Sequence, residues 1–244
     1  VGNNQRGRIE RFTCDIRENL IYNKITSPEQ SMGEVTGTIK EITRKSRHLD
    51  RDNVHLAYGG LMPVPFTFLT GCLLDDEQNI TLYDWDRHQG SWRGLDDMDD
   101  GRRFDITFPE GLESRPEVAV AISASYYIKP ENIAKSLPNI PIIQLQLSKL
   151  SFDCHWSKEK QIALAKQFQE IIVHLESMNV KLIHLFVAAP NSFVFRLGTS
   201  YCSKRNMPNA RVYQYEKSEE IPFPWSVQLP IAGGEPKVVF TVHQ

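Results

Sequence analysis

The sequence predicts an α/β protein made of two Rossmann-like halves with mainly parallel sheets. Three observations carry this. Short β-branched runs alternate with longer stretches of helical spacing, as where "IPIIQLQL" at 140–147 precedes Leu164, Phe168, Ile171, Ile172 and Leu175. The order strand, helix, strand recurs, and such crossovers are right-handed and give parallel sheets. The chain also echoes itself about 130 residues on.

The echo is clearest between "VHLAYGGLMPVPFTFLTG" (54–71) and "IHLFVAAPNSFVFRLGTS" (183–200). Set side by side, His55 meets His184, Leu56 meets Leu185, Gly60 meets Ala189 and Phe66 meets Phe195, each 129 residues apart. Upstream, "LIYNKITSPEQ" (20–30) lines up with "LSFDCHWSKEK" (150–160); downstream, "ITLYDWDR" (80–87) lines up with "ARVYQYEK" (210–217). Three matches in one order at nearly one spacing divide the chain into halves 1–117 and 118–244.

The elements follow in order. In the first half, "RFTCDI" (11–16) reads as a strand, and a helix starts at Ser27-Pro28 with Gln30 completing a capping box. "NVHLAYG" (53–59) is a strand, "PFTFLTGCL" (65–73) a helix and "ITLYDWD" (80–86) a strand. Residues 87–116 break the pattern and read as a long loop or hairpin excursion. Its acids Asp96, Asp97, Asp99 and Asp100 lack calcium-loop spacing and a closing glutamate, which favours a solvated turn. "EVAVAISASYY" (117–127) adds a strand. In the second half, "IPIIQLQL" is followed by a helix from the N-cap Ser157 to about Met178. "VKLIHLFVA" (180–188) is apolar on both faces, as a covered parallel strand must be; "SFVFRLGTSYC" (192–202) is a short helix and "ARVYQYE" (210–216) a strand.

Composition removes several function classes. A formal charge of −2 argues against a surface that coats DNA or RNA polymers, though it leaves room for a small anion. No apolar run approaches a membrane span, so no membrane partner is expected. Cys14, Cys72, Cys154 and Cys202 form no CxxC pair, which argues against zinc and for reduced thiols in the cytoplasm. The first residue is valine, which points to an excised piece of a longer chain.

Enzyme signatures are missing as well. The sequence has no GxGxxG after a first strand, no GxxxxGK[ST] and no GxSxG elbow around Ser192. His55 and His184, inside apolar strands, read as core histidines; the adjacent Cys154 and His155 point apart and make no dyad. No catalytic residue, metal ligand or cofactor is expected.

Open α/β sheets bind ligands beyond the carboxyl ends of their strands. Residues placed there by the element assignment are Tyr22, Lys24, Thr26, Gly59, Gly60, Trp85, Arg87, Trp156, Arg196, Tyr215 and Trp225. Indole and phenol rings there could stack on bases, or could seal the junction between the halves. The loops "YGGLMP" and "VAAPNS" hold equivalent places. Their small residues could let backbone N–H groups reach phosphates, or could merely allow tight strand–helix packing.

"IHLFVAAPNSFVFRLG" followed by "ARVYQYEK" resembles the C-terminal half of SAVED domains, sensor modules of bacterial CBASS anti-phage systems. The likeness is specific over about 183–216 and elsewhere rests on element order. That family is similar to two fused CARF-like units. The resemblance implies a bacterial, cytoplasmic sensor of a cyclic oligonucleotide made by a CD-NTase. A cyclic dinucleotide such as cGAMP is favoured over a cyclic trinucleotide. It further implies a fused N-terminal effector, foremost an HNH endonuclease, switched on by ligand-driven self-association. Within the matched loop it places Ala189, Pro190, Asn191 and Ser192 at the pocket floor. The alternatives from the residues are a hydrolase or ring nuclease that cleaves such a ligand, and a structural scaffold that binds none.

Overall fold

The computed structural model describes residues 9–22, 24–47, 54–74, 80–113, 115–201, 207–217, 219–230 and 234–241; Cys202 lies outside them. The chain opens with a two-stranded ribbon, β1 (Leu20–Ile21) and β2 (Lys24–Ile25), then α1 (Pro28–Ser46). Then come β3 (Leu56–Gly59), α2 (Val64–Leu74), β4 (Ile80–Asp86) and β5 (Ser91–Gly94), and after them β6 (Phe104–Thr107). The rest is β7 (Glu117–Ser123), α3 (Pro130–Ser136), β8 (Ile142–Leu147), α4 (Lys158–Ser177) and β9 (Leu182–Ala188), followed by α5 (Asn191–Ser200), β10 (Asn209–Gln214), β11 (Trp225–Gln228) and β12 (Lys237–Phe240).

Two main sheets result. One has the order β3-β4-β5 and the other β12-β11-β10-β9-β7-β8-β6. β10, β9, β7 and β8 form a parallel block, with β6 and the β11–β12 hairpin added antiparallel at its sides. The mostly parallel sheets and the strand–helix alternation are those of a Rossmann-like α/β fold.

Most sequence assignments stand and a few need correction. Ser157 caps α4, its hydroxyl accepting from Lys160 N–H at 3.2 Å. Ser27 makes no such side-chain bond, so the expected capping box is not formed; its carbonyl accepts from Ser31 N–H instead. "RFTCDI" is not a strand. Asp15 turns back to accept from its neighbour's backbone, Arg17 N–H, at 3.0 Å, and the chain enters a 3-10 turn at Arg17–Asn19. A local side-chain bond of this kind competes with ladder pairing. The 87–116 excursion contributes β5, paired to β4, and β6, paired to β8. Its acids stay largely at the surface, as expected, and are ion-paired there: Asp96 and Asp97 with Arg93, Asp99 with Arg103, and Asp100 with Arg102 and Lys160.

Helices α2 and α5 correspond in the structure, in a register other than the one read from the sequence. Gly71 on α2 and Gly198 on α5 face each other's helix. A Cβ on Gly71 would collide with the Phe195 carbonyl, and one on Gly198 with the Phe68 carbonyl. Pro63 and Pro190 hold the same place before the two helices, each carbonyl accepting the amides three and four residues on. Gly71 to Gly198, Phe68 to Phe195 and Pro63 to Pro190 are all 127 residues, two fewer than the 129 of the His55–His184 pairing. The histidines are therefore not equivalent. His55 is exposed and precedes β3, whereas His184 is 1% exposed. The counterpart of "VAAPNS" is "GLMPVP" (60–65), so the shared Pro, Phe and Gly positions align only after the shift.

Candidate functional site

Parallel strands end on one side of their sheets, and here those ends are Gly59, Asp86, Ser123, Leu147, Ala188 and Gln214. The loops beyond three of them are sewn together. Ala124 and Ser125 donate their N–H groups to the Ala188 carbonyl at 3.0 and 2.9 Å, and Ser151 N–H donates to Ala124. These bonds present Tyr126, Tyr127 and Phe152 to solvent, each about half exposed. Tyr126 meets Phe152 edge-on with centroids 4.7 Å apart. Arg87, just past β4 in the other sheet, lies 5.3 Å over the Phe152 ring. The two sheets thus share one rim where rings and a guanidinium adjoin, with exposed Lys129 and Lys149 in the same loops. Such a rim suits flat bases linked by phosphates, because rings stack and cations meet charge.

Beneath the rim lies a buried polar network joining the halves. Asp84 on β4 accepts from Ser192 N–H at 2.9 Å and from Trp85 N–H at 2.8 Å. His155 Nε2 stands 3.4 Å from the same carboxylate, and among the described residues neither ring nitrogen has a hydrogen-bond partner. Gln161 donates to Ser192 Oγ and to the His155 carbonyl, and accepts from Arg196 Nε. Asp84, His155, Gln161 and Ser192 are each 5% exposed or less. Burial lowers the His155 pKa against the opposing pull of Asp84. The Asp84 carboxyl thus occupies the N-terminus of α5, where the sequence reading puts a ligand phosphate. The residue before Ser192 is also engaged: Thr67 Oγ1 on α2 donates to Asn191 Oδ1 at 2.7 Å.

The sequence-selected residues fall into groups. Arg87 is at the rim. Ala189, Pro190 and Asn191 are half-buried beside it, and Ser192 is fully enclosed. Gly59 is exposed and bare enough that the Trp92 ring lies 3.1 Å from where a Cβ would stand; Gly60 is closed in by the Tyr58 hydroxyl end. Trp85 packs edge-on against Trp92 at 5.6 Å. Trp156 is buried, donating Nε1–H to Asp153 at 3.1 Å beneath the Arg93 guanidinium. Trp225 is in the core against Phe66, its Nε1–H given to Glu216. Arg196 holds Gln161. Lys24 ion-pairs with Glu219, which brings the β1–β2 ribbon to the segment beyond β10, where Tyr215 is 47% exposed. Tyr22 is almost fully exposed at φ 49°, and Thr26 bonds back to the Asn19 carbonyl. Sequence reasoning passed over Tyr126, Tyr127 and Phe152. Their signal is an aromatic just past a strand end, in "ASYY" and "SFDC".

The opposite face of the large sheet is covered only in part. α3 and the residues after it shield β7 and β8, and a cleft of about 740 Å³ opens beside them over β10–β12. Beneath the lining residues Tyr213 and Glu117, the buried His184 bonds Tyr213 Oη at 2.8 Å and Glu117 Oε2 at 3.0 Å, and burial lowers the histidine pKa. Among the described residues, no group of three or more His, Cys, Asp or Glu side chains is placed to hold a metal ion. No described helix is long and apolar enough to cross a membrane.

Similar architecture occurs in solved receptors. The Acinetobacter baumannii Cap4 SAVED/CARF-domain containing receptor with the cyclic trinucleotide 2′3′3′-cAAA superposes with TM-score 0.60 at 17% identity, covering 85% of this chain and 44% of that one. Its complex with 3′3′3′-cAAA gives 0.59 at 18%, covering 84% and 44%. The Moraxella osloensis Cap4 SAVED/CARF-domain containing receptor gives 0.57 at 20%, covering 88% and 45%. The chain thus spans less than half the length of these receptors. Comparison with curated proteins finds no match in sequence. The family model of the SMODS-associated and fused to various effectors sensor domain, SAVED, matches residues 38–229. That span includes both sheets' parallel strands and the crossing of α2 with α5, and the chain belongs to the SAVED family.

Proposed function

We propose that this chain is a non-enzymatic sensor of a cyclic oligonucleotide, bound at the rim shared by the two sheets. The observation that carries the reading is Arg87 lying over Phe152 beside Tyr126, a cation and two rings contributed by both sheets at their strand ends. Membership of a sensor family and likeness to receptors with bound cAAA support it. Those bound trinucleotides favour a cyclic trinucleotide here, with a cyclic dinucleotide such as cGAMP as the competitor. Bases would stack on Tyr126, Phe152 and Tyr215, and Arg87, Lys129 and Lys149 would meet phosphates. Ala189, Pro190 and Asn191 would form the floor between them. The enclosure of Ser192, His155 and Asp84 supports a binding role over a cleaving one, since none of the three reaches the rim surface. The greater length of the similar receptors supports a fused effector, foremost a nuclease, activated by ligand-driven self-association in the bacterial cytoplasm.

The test is a melting and calorimetric titration with 3′3′3′-cAAA, 2′3′3′-cAAA and cGAMP. Ligand at 100 times its Kd should stabilise the chain by about 2.7 kcal/mol. Phe152→Ala should cost about 1–3 kcal/mol of binding, the worth of one stacked base. Arg87→Ala should weaken binding in a salt-dependent way. Silence with all three ligands, or linear product in the mixture, overturns the reading.

A further inference from the structure

Helix α4 packs one face on the body of the chain through Leu164, Phe168, Ile171, Ile172 and Leu175. Its outer face departs from two habits of surface helices. The first concerns apolar residues. Among the described residues, the large apolar side chains that a helix leaves exposed are Ile162 and Val173, both on α4 and each about half exposed. They stand eleven residues apart, close to three turns, so they share one line along the helix with Lys166 and Gln169 between them. A β-branched side chain at an exposed helix site costs propensity and leaves apolar surface in water, so neither residue serves the helix by itself.

The second departure concerns charge. The helix dipole favours acids in the first turn and bases in the last, and an acid four residues before a base is better than the reverse. Here Lys158 opens the helix, Glu176 lies in its last turn, and Lys166 precedes Glu170. All four are exposed, and among the described residues they carry no ion pair. The first-turn acid Glu159 is drawn to the cap, where Ser157 Oγ donates to it at 3.3 Å.

Both departures make sense in an antiparallel helix pair. A two-fold axis crossing the middle of α4, between Gln167 and Phe168, sets Ile162 of one copy against Val173 of the other. It also sets Lys158 against Glu176 and Lys166 against Glu170, so each charge meets its opposite. A parallel pair would put Lys166 against Lys166. Phe108, edge-on to His174, and Met98, in the loop that Lys160 holds through Asp100, stand at the two ends of α4 on one flank and add exposed apolar area.

We propose that the outer face of α4 docks a second copy of this chain in an antiparallel, two-fold contact. The stripe is narrow beside a standard interface, so the dimer is a weak one. It needs no ligand, and it is separate from the ligand-driven self-association proposed for the sensor.

The experiment is sedimentation of the ligand-free chain from micromolar to millimolar concentration. A monomer–dimer equilibrium should appear, and added salt should weaken it. Ile162→Gln replaces the residue with a better helix former, so it should leave the melting temperature unchanged or raised while weakening the dimer. Lys166→Glu and Glu170→Lys should each weaken self-association roughly tenfold, because each turns two surface ion pairs into repulsions at once. An equal mixture of these two variants should pair again, and the double variant Lys166→Glu with Glu170→Lys should recover the parent dimer. Arg87→Ala should leave the dimer intact. A chain that stays monomeric at millimolar concentration overturns the proposal. So does a dimer that ignores Ile162→Gln and the charge reversals, or one that forms only with cAAA and is lost with Arg87→Ala, which would put the contact at the rim.

Discussion

Asp84 holds two backbone N–H groups and faces the His155 ring while almost fully buried. Removing its carboxylate with Asp84→Ala strands the buried Ser192 amide. An unsatisfied buried donor costs about 1–3 kcal/mol, so the variant should lose at least about 1 kcal/mol in denaturant titration. A loss below about 0.5 kcal/mol would deny the network its structural role. The two buried histidines set the pH response. Burial holds His155 and His184 below the ordinary value of 6.5, so the unfolded chain takes up protons that the folded chain refuses. The sign follows: stability is full above about pH 6.5 and declines as pH falls below it. Melting temperature measured from pH 8 to pH 5 should drop on the acid side, and His184→Gln should flatten that slope. A melting temperature that climbs on acidification sinks this account. Little of this was legible. Asp84 and Ser192 are 108 residues apart, and nothing in "LYDWD" marks one aspartate as the partner of a distant helix end.

Helix α2 and helix α5 show how far local pattern reaches at the next scale. Their extents were readable from apolar spacing, and so was the likeness between them. The register was not, because matching histidines and leucines in the strands outweighed the Pro, Phe and Gly positions that the helix crossing constrains. Gly71 and Gly198 let two backbones touch, each against the other helix's Phe carbonyl. Backbone cannot yield as a flexible side chain can. Gly71→Ala or Gly198→Ala should therefore destabilise by about 3 kcal/mol, at the upper end of overpacking costs. The double variant should cost less than the sum, since both wedge the same crossing. Equal stability of Gly198→Ala and the parent protein in urea would refute the close approach. Elements that escaped sequence reading are short. α3 has 7 residues, and β11 and β12 have 4 each, too few for a period to stand out.

Across the whole chain, the midpoint that the sequence reading puts at residue 117 does not separate the sheets. β6 (Phe104–Thr107) precedes that point and pairs with β8 beyond it. Its Phe104 main chain also exchanges two hydrogen bonds with Gln167 of α4. The α2–α5 crossing and the Asp84–Ser192 bond tie the halves a second and third time. A chain so joined has no surface along which one half can open while the other stays intact. Unfolding should be a single cooperative transition, with coincident curves by far-UV dichroism and by tryptophan fluorescence. The tryptophans make the test specific. Trp85 and Trp92 report the three-stranded sheet, and Trp156 and Trp225 report structure around the seven-stranded one. A variant with Trp85 and Trp92 changed to Phe and one with Trp156 and Trp225 changed to Phe should each melt at one midpoint by both probes. A fragment of residues 118–244 should not reach the native state, because it lacks β6 and loses Phe104 and Tyr58, the rings stacked on Phe193 and Phe195 of α5. Two separated midpoints, or a well-folded 118–244 fragment, would mean that the halves are independent units. The rim would then be a hinge between bodies instead of a fixed surface.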